Sequence, residues 1–179
     1  MPDRFGMRQY RTPVFVALGA FASLVACAGD VAPIASSALL NAEYQLPISA
    51  GARVTARDGK WLEEGPDGRQ SLAVIDPGVR GDLDGDKIPD AAVLLVYSGG
   101  GSGAFNYLAA VLNDQGRPRH VSSIELGDRV KVGSVAFEKG RVVASLVVHG
   151  ANDPLCCPTV PVTRAFELAG GRLVELSMP

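Results

Sequence analysis

The stretch GDLDGDKIPD at residues 81–90 places Asp82, Asp84, Asp86 and Asp90 in one short segment and then runs straight into the apolar run AAVLLVY. In an extended chain the first three carboxylates would share one face at a spacing of about 6.6 Å. Each neighbouring pair would then repel by roughly 0.6 kcal/mol in bulk water and about 2.5 kcal/mol at a surface-like dielectric constant of 20. Bending the chain increases the repulsion. A hard divalent cation reverses its sign, because calcium takes about six to eight oxygens and draws them from loop positions one, three and five and from the carbonyl of position seven. On that count Asp82, Asp84 and Asp86 are side-chain ligands to Ca2+, Ile88 offers its carbonyl and turns its side chain to the core, and Asp90 closes the loop at position nine. An EF-hand is excluded: Lys87 stands where that loop has Gly, Val93 stands where it has Glu, and the next residues read as strand where that motif has a helix. Without an ion the same residues form a solvated acidic turn hinged at Gly85.

The second reactive grouping is HGANDPLCCPTVP at residues 149–161, which holds His149, Cys156 and Cys157. In an oxidising compartment the adjacent cysteines can pair with each other or with another molecule. A vicinal disulfide closes a strained eight-membered ring, and strained bridges tend to be reducible. Three readings stay open: a rigid structural vicinal bridge, two thiols in a proline-bounded turn, or a thiol-redox, nucleophilic or metal site built from Cys156, Cys157 and His149. The CxxC spacing usual for zinc is absent. The glycine run YSGGGSGAFNY at 97–107 lacks the lysine and the following helix of a phosphate loop, and reads as a hairpin between two strands. The basic cluster RPRH at 117–120 has no aromatic neighbours, and His120 is isolated, with no chemistry assigned to it.

Elements must hold these groups in place, and their pattern is strand and turn. Gly 21 and Pro 12 in 179 residues imply many reversals. After ARVTA and the turn DGK, the runs LAVI, AAVLLVY, YLAAVL, HVSSIEL, VKVGSVAF, RVVASLVV, AFEL and RLVEL are short and bounded by Gly, Pro, Asn or Asp. NDQG at 113–116, GD at 127–128, EKG at 138–140 and AGG at 169–171 are too short to join parallel strands. The expected fold is mainly β: an antiparallel meander forming a sandwich or partly open barrel, with AAVLLVY and RVVASLVV as central strands apolar on both faces. One short helical turn is expected over 38–44, capped by Ser36 or Ser37.

The N-terminus carries Arg4, Arg8 and Arg11 before an uncharged apolar segment at 14–26, the layout of a signal peptide. It ends in LVAC, which resembles a bacterial lipobox and identifies Cys27 as the lipidation site. Buried acyl chains such as palmitate, at about 0.8 kcal/mol per CH₂, would anchor the body to a membrane. The resemblance implies a domain plan of 1–26 signal peptide, 27–37 acylated tether and 38–179 a single β-rich domain. It also implies a periplasm-facing site in the envelope, with the outer membrane favoured because Asp does not directly follow Cys27. Removal of three Arg and one Asp with the signal takes the net charge from −2 to −4, which speaks against nucleic acid as a partner.

GDLDGDKIPDAAV, GGSGAFNYLAAVLN, LGDRVKVGS and HGANDPLCCPTVPVTRAFEL, in that order over residues 81–168, resemble a group of uncharacterised bacterial envelope lipoprotein domains. The CCPT element is similar to LppP/LprE-type lipoproteins, and members of the group sometimes accompany META-type domains. The acidic loop resembles the DxDxDGxxD calcium loops of integrin-type and VCBS-type repeats, from which it departs at Lys87. The resemblance implies an envelope lipoprotein, and the residues favour a non-enzymatic binding or structural module with a calcium loop. Alternatives are a thiol-redox or hydrolytic envelope enzyme using Cys156, Cys157 and His149, and an acidic inhibitor of a cationic cell-wall lytic enzyme.

Overall fold

Two-residue turns with positive φ cut the chain into hairpins. Gln115 and Gly116, Lys139 and Gly140, and Gly170 and Gly171 all sit at left-handed φ, the type I′ geometry whose twist matches that of the flanking strands. The computed structural model describes residues 31–46, 53–65 and 68–177. Arg4, Arg8, Arg11, the apolar segment at 14–26 and Cys27 lie outside the described residues.

The elements are α1 (Ser36–Leu40), β1 (Glu43–Gln45), β2 (Arg53–Thr55), β3 (Lys60–Gly65), β4 (Gly68–Gly81), β5 (Asp90–Ser98), β6 (Phe105–Asp114), β7 (Arg117–Asp128), β8 (Lys131–Glu138), β9 (Arg141–Val148), β10 (Val160–Ala169) and β11 (Arg172–Leu176). Strands β3 to β7 form a five-stranded meander in chain order, β8 to β11 form a four-stranded one, and β1 pairs with β2. The fold is mainly β, with antiparallel sheets that do not close into a barrel.

The five-stranded sheet is the middle layer. One face of β5 and β6, with Leu94, Leu108 and Ala110, packs on Val142, Ala144, Leu146 and Phe166 of the four-stranded sheet. The opposite face, with Val93, Leu95, Tyr107 and Val111, is covered by Ile34, Leu39, Tyr44 and Val54 from the N-terminal segments. Burial on both sides explains why β5 and β6 are nearly continuous apolar runs, as strands covered on two faces must be.

Several sequence expectations change here. RVVASLVV forms β9, inside its sheet but with one face only half covered; it is YLAAVL in β6 that joins AAVLLVY in β5 as a strand buried on both faces. Gly127 and Asp128, expected to form a turn, instead end β7, paired with Asn106 and Phe105, and Arg129 and Val130 carry the chain to the other sheet. There Arg129 adopts a φ of 51°, and its N–H donates to the Ala104 carbonyl at 2.7 Å. The chain therefore leaves β7 towards the other layer, and β8 ends with Phe137 against Gly81 of β4.

The helical turn starts at Ser36 with Ala35 as its N-cap and no side-chain cap. Tyr44, expected in that helix, lies in β1 instead, where it is fully buried and its hydroxyl donates to the Leu39 carbonyl at 2.7 Å. Core burial of a large aromatic outweighs a helix this short, which has little stability of its own. Ile34, inside the stretch read as a tether, is buried in the same cluster. The packed chain thus begins before residue 38.

Candidate functional site

Strand β4 delivers the chain to Gly81, where any side chain would collide with the Phe137 ring. The acidic loop then curls between β4 and β5. Leu83 alone in its first turn is buried, facing the core between the two sheets, so it pins the loop while its neighbours stay outside. Ile88, expected to do this, is only half-buried. The loop carboxylates are tied to the loop's own backbone. Asp82 accepts from the N–H of Gly85 at 2.7 Å and of Lys87 at 2.9 Å. Asp84 accepts from Asp86 N–H at 3.2 Å, and Asp86 accepts from Ile88 N–H at 2.7 Å.

This folding brings one oxygen each of Asp82, Asp84 and Asp86 within 4.8 Å of one another. Backbone N–H groups supply part of the compensation that such crowding needs. The rest must come from solvent or a cation, since none of the three carboxylates forms a salt bridge among the described residues. Lys87 takes a φ of 69°, at the position where a DxDxDG calcium loop would have Gly. A β-carbon in that region is disfavoured by about 1–2 kcal/mol.

Asp90 is set apart from this trio. Only 1% exposed, it accepts from Leu83 N–H at 2.9 Å through one oxygen and from Asn113 N–H at 2.8 Å through the other. Burial raises its pKa, against the pull of those two backbone donors, and the charges of Asp84 and Asp86 add to the rise. Asn113 extends the network: its amide donates to the carbonyls of Ala32 at 3.0 Å and Pro89 at 3.1 Å, and its oxygen accepts from Gly116 at 2.6 Å. Acidic loop, β6–β7 turn and N-terminal segment are therefore held by two buried polar side chains. Sequence reasoning missed Asn113; the trace it left is an Asn closing an apolar strand directly before a turn.

In the β9–β10 connection Cys156 and Cys157 are joined as a vicinal disulfide and both are exposed. Asp153 organises the loop. It accepts from the N–H of Gly150 and of Thr159, both at 2.8 Å, and from the Thr159 hydroxyl at 2.9 Å. The Gly150 N–H, followed by the Thr159 contacts, lowers its pKa. His149 keeps a buried Nε2 with no hydrogen-bond partner among the described residues. The glycine run forms the β5–β6 hairpin, with Tyr97 opposite Phe105; Ala104 N–H donates to Asp128 at 2.8 Å.

Comparison with known proteins gives little beyond this geometry. No protein-family model matches the chain, and no solved structure matches it. A curated protein described as uncharacterized protein YybI, of Bacillus subtilis (strain 168), is 32% identical over 108 residues. That match takes in 60% of this chain and 40% of YybI, so the chain spans less than half of the relative's length.

Proposed function

We propose that the protein is a lipid-anchored cell-envelope module, non-enzymatic, whose acidic loop binds calcium and thereby fixes the approach to the innermost strand. The observation that carries this reading is the convergence of Asp82, Asp84 and Asp86 oxygens within 4.8 Å, without a basic side chain to neutralise them among the described residues. Three carboxylates and nearby backbone oxygens suit a hard cation that prefers oxygen, and an extracellular-type site of roughly millimolar affinity would be filled outside the cell. Lys87 weakens the site through its charge and its left-handed backbone.

Calcium at about tenfold over its dissociation constant should stabilise the chain by about 1.4 kcal/mol. The rise in Tm should vanish in Asp84→Ala and grow in Lys87→Gly. Sodium chloride at matched ionic strength controls for screening. An equal rise in Asp84→Ala and in the parent chain would remove calcium from the loop.

The anchor rests on the signal pattern ending at Cys27. Labelled palmitate fed to a bacterial host should enter the chain, and Cys27→Ser should abolish the label and move the protein to the soluble fraction. Membrane retention of the variant would count against acylation as the tether.

A further inference from the structure

A groove of about 470 Å³ lies where β7, the outer strand of one sheet, meets β11, the outer strand of the other, beside the end of β1. Its polar lining comes from Gln45, His120, Ser122, Ser123 and Arg172, and its apolar lining includes Val121 and Val174. A bulge in β7 at Val121 brings both serines to it, because the register shifts between the Ala110–Ser122 and Val111–His120 pairs.

The hydrogen bonds decide what this lining can offer. Ser122 Oγ accepts from Leu173 N–H at 3.0 Å. Gln45 N–H, which can only donate, faces His120 Nδ1 at 3.4 Å, so the ring hydrogen belongs on Nε2, and Ser123 Oγ, 2.8 Å away, is its acceptor. Both serine oxygens are thus engaged as acceptors, and neither hydroxyl hydrogen is given to a protein acceptor among the described residues. Arg172 makes no ion pair or hydrogen bond among them. An adjoining recess of about 200 Å³ shares Gln45 and His120 and adds Arg119, which is likewise unpartnered there, and Arg53, which is paired with Glu43 at 2.8 Å. The seam therefore presents donors and positive charge, with its one carboxylate already matched, on a body whose net charge is negative.

We propose that the β7–β11 groove binds a small organic oxyanion, a carboxylate or phosphate on an apolar body, with Arg172 as counter-charge and the Ser122 and Ser123 hydroxyls as neutral donors. A guanidinium fork fits either oxyanion, and its charge-assisted bonds are about twice as strong as neutral ones. The apolar body lies along Val121 and Val174, the apolar lining residues that keep exposed surface. The site is independent of the calcium loop.

The test is a titration of the ¹⁵N-labelled chain with hexanoate, hexyl phosphate and hexanol, monitored by amide shifts. Hexanoate or hexyl phosphate should move Ser122, Ser123 and Leu173 saturably, the tighter of the two identifying the oxyanion, while hexanol leaves them in place. Arg172→Gln should weaken binding about tenfold or more; Arg117→Gln, on the same strand as the serines but outside the groove, should not. The proposal is overturned if neither anion saturates at millimolar concentration or if hexanol binds as well. It is also overturned if Arg172→Gln binds like the parent chain or Arg117→Gln weakens binding equally.

Discussion

Replacing Asp90 with alanine should lower the unfolding free energy by about 3 kcal/mol, since two buried backbone N–H groups would each lose a charged acceptor. Those donors belong to Leu83 and Asn113, so the loss is felt in the acidic loop and at the far end of β6 together. The carboxylate is only 1% exposed, so bulk solvent does not reach the two donors in its place. Asp90→Asn should cost less, about 2 kcal/mol, because one amide oxygen still accepts while the NH₂ group faces the other donor. Urea unfolding of the three chains measures the series. A change below about 0.5 kcal/mol in Asp90→Ala, the range of ordinary surface substitutions, would show that the network does not hold the loop. The calcium response should weaken in the same variant, because Leu83 is released.

Stability should also fall by about 3 kcal/mol as pH drops from 6.5 to 4, through His120 alone. Burial lowers the pKa of this imidazole to about 4, helped by Arg53 and opposed by a Ser122 backbone contact and by Glu43. In the unfolded chain the ring protonates near its ordinary value of about 6.5. Between the two values the unfolded state binds a proton that the folded state refuses. The contribution is therefore complete above the unfolded value and is lost as pH falls through the folded one. The ring packs edge-on to Tyr44, 5.9 Å between centroids, so charging it strikes the joint between β1 and β7. His120→Gln should flatten the pH profile across that window while carboxylates continue to titrate below it. Parallel profiles for the two chains would refute the assignment.

The acidic loop shows how far local chemistry reaches. Spacing alone marks Asp82, Asp84 and Asp86 as a group, and the structure does bring their oxygens together. Spacing treats Asp90 as a fourth member, whereas its carboxylate faces two backbone amides, one of them 23 residues away at Asn113. Nothing near Asp90 in the sequence announces that partner. Ile88 and Leu83 exchange roles for the same reason: both are apolar beside a loop, and only the position of the second sheet decides that Leu83 is the one covered.

Turn residues and strand patterns depend on interactions within a few residues, so they are written in the chain itself. Gln115–Gly116, Lys139–Gly140 and Gly170–Gly171 must adopt positive φ to reverse a hairpin, and side-chain alternation marks the strands on either side. The mainly β, antiparallel character of the protein comes from these alone. Packing had to decide which layer each strand joins. Gly127 and Asp128 look like one more hairpin turn but end β7, after which Arg129 and Val130 cross to the other sheet, and Tyr44 leaves a helical stretch for a strand because the core beneath it is deep enough to bury its ring. The groove at β7 and β11 belongs wholly to that second class: Ser122 and Arg172 are 50 residues apart in the chain, and only the contact of two sheet edges makes them neighbours.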